Sequence, residues 1–359
     1  MPQFSVIIPT FNRCERLLRA VTSSLAQRYE DYEIIVVDDG STDGTKDALA
    51  TITGPIRFFQ QPNRGPAAAR SAGVRAARGN YVAFLDSDDT WFPWTLELMA
   101  KAIDVHGQPS WLYGGGVTTF AKDAGVETAL VTRHFPHYAA AAALNGLMPL
   151  PTGVAIQRTL LLSAGAFRES LLVGEDVDLW FRIADAPGFV LIESPPLYVR
   201  ETTCDSQGED MEKAYVGMLD LVSRERAGEY GGSRDQILTR RYIIRRQLAY
   251  YAVRFLEQGK RAHAARFCSE GMRLQFSSTY RQAVLGVAND KFWLGFLVRL
   301  ASPSLYAWLK SRRANRVQSA SGGEADPKYV VFDRDRRISS NSTDSEEAPP
   351  RARAPTALD

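Results

Sequence analysis

The 359-residue chain is poor in cysteine. Its three, Cys14, Cys204 and Cys268, are odd in number and far apart. That excludes a disulfide framework and a cysteine-built zinc site, and it fits a reducing compartment. Neither sign of charge dominates: 43 Lys and Arg against 41 Asp and Glu leave a net +2. Nothing in the charge balance therefore draws the chain to nucleic acid. No apolar run approaches the ~18 residues of a spanning helix. The N-terminus shows no basic-then-apolar leader, since Phe4–Pro9 already reads as a strand. Glycine-rich phosphate loops are missing as well. The first turn is Pro9-Thr10-Phe11-Asn12-Arg13, with no G-x-G-x-x-G, and there is no G-x-x-x-x-G-K-[ST]. A nucleotide bound here must have its phosphates neutralised by something other than a glycine-lined helix start.

What is present is a regular alternation. Ser5–Pro9 is a short apolar run rich in β-branched residues, as in a strand buried on both faces. Leu17, Leu18, Val21 and Leu25 follow at helical spacing. Glu33–Val37 is a second such strand, and Thr42-Asp43-Gly44 caps a helix over Thr45–Thr51. Ile56–Phe59 is a strand, Gly65–Ala77 an Ala-rich helix, and Tyr81–Leu85 a fourth strand. This order predicts a parallel sheet covered by helices on both faces. Ligands of such sheets bind at the carboxyl ends of the strands. Those ends carry Pro9-Thr10, Asp38-Asp39 and Asp86-Ser87-Asp88-Asp89.

The last of these clusters is the most pointed. An apolar strand, Tyr81–Leu85, ends in three carboxylates within four residues. Like charges this close raise one another's pKa unless a cation or donors compensate. A hard divalent cation, Mg²⁺ or Mn²⁺, that also holds a diphosphate is a natural occupant. A solvated turn with capping aspartates is the plainer alternative. Asp38 and Asp39 read either as acceptors for a base or ribose or as an ordinary turn.

Further along, Trp91–Val105 reads as a helix entered near Pro93, and Ser110–Gly116 as a strand that Val117–Phe120 extends. Arg133–Leu150 holds an Ala run with His134 and His137; two histidines three apart could ligate a metal, but without a third ligand in the same stretch they read as sitting on an acceptor-side loop or surface. Pro149–Arg158 is a turn followed by a strand, and Thr159–Ala166 a helix. Gly174–Arg182, GEDVDLWFR, sets Glu175 and Asp176 after a glycine turn. The helix dipole alone explains carboxylates there, so capping competes with chemistry.

SVIIPTFNR, VVDDGSTDGT, NRGPAAARSAG and YVAFLDSDD, in this order and spacing, resemble the family 2 glycosyltransferases of GT-A fold. GEDVDLWFR is similar to that family's late acidic motif. The resemblance implies an α/β GT-A fold with a mostly parallel central sheet and an inverting transfer from a nucleotide-sugar donor. By position, Pro9, Thr10, Asn12, Asp38, Asp39, Arg70, Asp86, Ser87 and Asp88 are implied on the donor side. Asp88, with Asp86 and Asp89, is implied on the metal. Asp176 is implied as catalytic base with Glu175 beside it, and Trp180 and Arg182 on the acceptor side. One departure stands out. Relatives often end a strand in Tyr-Arg-x-His, whereas Leu197–Gln207 reads LYVRETTCDSQ. Glu201, Thr203 and Asp205 are left to stand in for that histidine.

The expected organisation is a catalytic domain over 1–208, with a nucleotide half (1–105) and an acceptor half (106–208). A helical extension is expected over 209–316 and a disordered tail over 317–359, rich in Ser, Pro and mixed charge. Met211–Arg226, Arg240–Gln258 and Arg261–Gln275 read as helices. Lys291–Arg316 combines aromatics with cations and contains no acid, which suits either peripheral contact with a membrane interface or a helix docked on the enzyme. The expected partners are a nucleotide-sugar donor and a glycan or lipid-linked acceptor of envelope or exopolysaccharide synthesis, with no nucleic acid. The expected place is the cytoplasm or the inner face of its membrane. A sugar nucleotidyltransferase and a non-catalytic nucleotide-sugar-binding module remain as alternatives.

Overall fold

A computed structural model describes residues 1–118, 127–201 and 210–274. The first half alternates as the apolar pattern predicts. Strand β1 (Phe4–Thr10) leads to helix α1 (Cys14–Leu25), then β2 (Tyr32–Asp38), α2 (Thr45–Ala50), β3 (Ile56–Gln60), α3 (Pro66–Ala76) and β4 (Tyr81–Phe84). β1 lies parallel to both β2 and β4, and β2 is parallel to β3. The register pairs Thr10 with Asp38 and Ile7 with Phe84, so the polar ends of β1, β2 and β4 meet at one rim.

The remaining strands depart from a purely parallel sheet. A short strand β5 (Asp89–Trp91) precedes helix α4 (Thr95–Val105). Next come β6 (Trp111–Gly114), β7 (Gly116–Thr118), β8 (Val131–Phe135), helix α5 (Tyr138–Asn145) and a 3-10 turn, Pro151–Gly153. β9 (Val154–Gln157), α6 (Arg158–Ser163), α7 (Glu175–Arg182), β10 (Phe189–Ser194) and β11 (Tyr198–Arg200) complete this part. The large sheet runs β3-β2-β1-β4-β9-β6-β10-β8, and a small second sheet runs β5-β11-β7. β9 is antiparallel to β4 and β6, and β8 antiparallel to β10. The sheet is thus mostly parallel, with two reversed strands.

Three expectations are corrected. Trp91 does not begin a helix: it pairs with Tyr198 in the second sheet, and Pro93 separates it from α4. Gly116–Thr118 does not prolong β6 in the large sheet but pairs with β11. His134 is exposed, as a surface position requires, but it lies on an edge strand, Val131–Phe135, rather than in a loop, opposite Val190. His137 caps α5, its Nδ1 accepting from the Ala140 N–H at 3.2 Å.

Side-chain alternation sends Ile7, Val37 and Phe84 to one face of the sheet and Val6, Ile8 and Val36 to the other. The second face is covered by α1 and α4. The first is covered by α3, α7 and three C-terminal helices, α8 (Met211–Ala227), α9 (Arg234–Glu257) and α10 (Arg261–Arg273). Met218, Ile244, Leu248 and Phe267 lie in the same apolar cluster as Phe84 and Trp180. The helical extension, as far as it is described, therefore shares the core of the sheet domain. Among the described residues no helix is long and apolar enough to cross a membrane. Lys291–Arg316 and the tail lie outside the described residues.

Candidate active site

The rim where β1, β2 and β4 end carries the first acidic wall. Asp86 and Asp88 follow β4 directly, and Asp89 opens β5. Carboxylate oxygens of all three lie within 4.8 Å of one another. Burial and the charge of Asp86 raise the pKa of Asp88, and the same two causes push Asp89 up to about 8. Hard oxygen donors this crowded, with pKa values raised by burial and by one another, fit a Mg²⁺- or Mn²⁺-type ion. Asp86, Asp88 and Asp89 are the residues that would hold it.

Two neighbours of this triad were not legible as such in the sequence. Arg13, from the turn after β1, pairs with Asp88 at 2.8 Å. Thr152, from the 3-10 turn before β9, donates from Oγ1 to Asp89 at 2.6 Å and accepts from the Asp86 N–H at 3.2 Å. Its carbonyl accepts from the Trp91 indole at 2.9 Å. Gly153 is required beside it, because a Cβ there would meet the Gly114 carbonyl oxygen at 2.1 Å. The first turn, strand β6 and the triad are thereby locked together.

The second acidic wall is the start of α7. Gly174, at φ +86°, turns the chain into the helix, a conformation that glycine adopts without a Cβ penalty. Glu175 and Asp176 then occupy the first turn. Asp176 Oδ1 accepts from the Val177 N–H at 2.7 Å, and among the described residues it has no other hydrogen-bond partner. Burial raises both pKa values, Glu175 to about 7, with Asp176 adding to the rise at Glu175 and Asp86 to that at Asp176.

Arg70 of α3 joins the two walls. Its Nη2 donates to Asp86 Oδ1 at 2.6 Å and its Nη1 to Glu175 Oε1 at 2.7 Å. The guanidinium is buried and lies 5.6 Å from the centre of the Phe167 ring. Burial alone would favour loss of its proton. Asp86 and Glu175 more than reverse this and hold it charged. Arg70, implied on the donor side near base or diphosphate, ties the triad to the candidate base.

The nucleotide-side residues divide in a similar way. Asp39 accepts from Gln61 Nε2, Arg64 N–H and Gly65 N–H at 2.7–3.0 Å. Asp38 accepts from Ser41 N–H and Gln60 Nε2 at 2.9 and 3.0 Å. Asn12, at φ +50°, accepts from the Thr42 N–H at 2.8 Å. These side chains staple the rim loops, although a carboxylate with room for about four hydrogen bonds keeps one site open on Asp39. Pro9 and Ser87 are buried beside them. Thr10 is different: its Oγ1 is buried without a partner. A buried hydroxyl with nothing to bond among the described residues is costly, which makes Thr10 a candidate contact for a ligand.

Trp180 and Arg182, expected on the acceptor side, are both engaged by protein partners. Trp180 is fully buried, stacks on Trp111 and donates to the Pro149 carbonyl at 3.0 Å. Arg182 donates to Asp178 at 2.8 Å and to the carbonyls of Ala164 and Ala166 at 2.5 and 2.7 Å. Both shape the site from behind. Arg182→Ala is therefore expected to lower unfolding stability by about 3–5 kcal/mol, because it strips a partner from the buried Asp178. A urea titration checks this; a changed acceptor KM at unchanged stability would contradict it. Of the substitutes for the absent histidine, Glu201 is held by Arg19 at 2.7 and 3.2 Å. Thr203 and Asp205 lie outside the described residues.

Residues 5–136 match the profile described as glycosyl transferase family 2. An uncharacterized glycosyltransferase of Rickettsia felis is 29% identical over 221 residues, 61% of this chain and 36% of that protein. The chain thus spans about a third of the length of the Rickettsia relatives it matches first. The succinoglycan biosynthesis protein ExoO of Rhizobium meliloti is 40% identical over 109 residues, 30% of this chain and 31% of that one. Among solved structures, S. aureus TarS 1-349 in complex with UDP-GlcNAc superposes with a TM-score of 0.50 at 18% identity. That likeness covers 79% of this chain and 92% of that one, and at such identity it speaks for the GT-A fold alone.

Proposed function

Taking as premise that residues 5–136 are a glycosyl transferase family 2 domain, we propose that the chain is an inverting glycosyltransferase. It moves a sugar from a nucleotide-sugar donor to an acceptor hydroxyl. The observation that carries this reading is the pair of acidic walls tied by one arginine: Asp86, Asp88 and Asp89 on one side, Glu175 and Asp176 on the other, Arg70 between. Transfer with inversion needs one base for the acceptor proton and stabilisation of the departing diphosphate.

Each part has a place. Asp176 has a carboxylate oxygen without a partner and takes the acceptor proton as that hydroxyl attacks the anomeric carbon. The bond from that carbon to the diphosphate breaks with the electron pair on the phosphate oxygen. Asp86, Asp88 and Asp89 would hold a divalent ion, which would supply Lewis acidity toward the diphosphate. Thr10 receives a polar atom of the nucleoside. Glu175 is fixed beside Asp176 by Arg70, and burial together with the charge of Asp86 keeps the proton affinity of Asp176 high. The ExoO likeness supports an exopolysaccharide or envelope glycan as acceptor.

The test is calorimetric titration of UDP, GDP and dTDP into the full chain with Mn²⁺, Mg²⁺ or chelator, repeated with Asp88→Asn. One nucleotide should bind, more tightly with metal, and Asp88→Asn should remove most of the metal-dependent gain. Absence of binding to every nucleotide with either metal would overturn the donor site.

A further inference from the structure

The described residues around the triad include a cation with no assigned task. Arg200 of β11 stands directly opposite Asp89 of β5 in the antiparallel ladder. Directly opposed residues carry their side chains on the same face, with Cβ atoms about 5 Å apart. An opposed Arg and Asp would ordinarily pair. Here Asp89 is turned to Thr152 at 2.6 Å, and among the described residues Arg200 makes no hydrogen bond or ion pair. The next residue, Glu201, is taken by Arg19. It is therefore no partner for Arg200, whose charge stays beside the triad. Burial raises the pKa of Asp88, Asp89, Tyr113 and Tyr198, and in all four the charge of Arg200 works against that rise.

Arg13 and Arg70 already serve Asp88 and Asp86. A third, half-buried guanidinium without a partner is costly to hold, and its planar fork matches two phosphate oxygens. We infer that Arg200 binds the diphosphate of the donor and shares its neutralisation with the cation held at Asp86, Asp88 and Asp89. This rests on the donor reading given above. It also gives the rim a second fixed positive contact where the histidine expected after β11 is missing. The diphosphate therefore keeps part of its affinity when metal is removed.

The experiment titrates the nucleoside diphosphate that wild type binds, and the matching monophosphate, into full-length wild type, Arg200→Ala and Arg200→Lys. Each is measured with Mn²⁺ and with chelator. Arg200→Ala should weaken the diphosphate about tenfold or more in both conditions, as expected for a lost charge-assisted contact. The monophosphate should lose no more than about twofold, and Arg200→Lys should recover part of the loss as a point charge. Mn²⁺ titrated alone should bind Arg200→Ala severalfold more tightly, because a like charge has left the triad. A merely structural arginine would lower the melting temperature without moving the diphosphate-to-monophosphate ratio. An unchanged ratio in Arg200→Ala overturns the inference while leaving the donor site intact. Failure of wild type to bind any nucleoside diphosphate overturns both. If Arg200→Ala does not fold, Arg200→Gln carries the same comparison.

Discussion

Asp176→Asn is expected to lower the rate of sugar transfer by a factor of about 10²–10⁴ while donor affinity stays within about twofold, the range for removal of a general base. The substitution is informative because Asp176 has two separable duties. Its Oδ1 accepts from the Val177 N–H at the start of α7, a capping contact that an amide oxygen also makes. Asparagine therefore keeps the helix start and removes only the ability to take a proton. Steady-state kinetics and nucleotide titration on the same preparation separate the two duties. The pH profile follows from the same geometry. Burial holds the folded pKa values of Glu175 and Asp176 above the ordinary carboxylate range, with the charge of Asp176 adding to the rise at Glu175 and that of Asp86 to the rise at Asp176. The base works deprotonated, so kcat/KM falls as pH drops through the raised pKa of Asp176, above the usual aspartate range. A profile flat down to the usual carboxylate range would argue for another base.

Arg70→Ala is expected to cost about 3–5 kcal/mol of unfolding free energy, the range for breaking a buried ion pair by removing one partner. The loss comes from two directions. Asp86 and Glu175 each lose a hydrogen bond of 2.6–2.7 Å, and both remain near other carboxylates. The apolar packing over Phe167 goes with it. Arg70→Lys should fall between wild type and Arg70→Ala, because one ammonium lacks the fork that spans two carboxylates. Urea denaturation of the three proteins measures this directly. A loss under about 1 kcal/mol, the level of an exposed pair, would mean that Arg70 does not tie the two walls.

How much of this could be read in the chain itself follows from where the information sits. Apolar runs such as Glu33–Val37 and Tyr81–Leu85 are local signals, and the strands they predict are found at Tyr32–Asp38 and Tyr81–Phe84. The polar strand ends were equally legible, because parallel topology places them at one rim. What escaped depends on distant partners. Nothing near Thr152 in sequence reveals that β9 runs backwards between β4 and β6 and brings its hydroxyl to Asp89. Trp91 has the composition of a helix entry, yet pairing with Tyr198 some hundred residues on makes it a strand. Trp180 and Arg182 sit within an acidic motif, but helical geometry turns one into the core and the other onto Asp178. The bridging contact of Arg70 is hidden for the same reason: its second carboxylate, Glu175, is 105 residues away.

The central claim is that the two acidic walls work on a nucleotide-activated sugar. The most direct measurement is nucleoside diphosphate release from a panel of UDP-, GDP- and dTDP-sugars by the full chain. Each donor is tested with Mn²⁺ and with chelator, in the presence of membrane extract as a source of acceptor. The account predicts release from one donor, strongly reduced by chelator and lost in Asp176→Asn. Release that persists unchanged in Asp176→Asn, or no release from any donor that the protein binds, would contradict it.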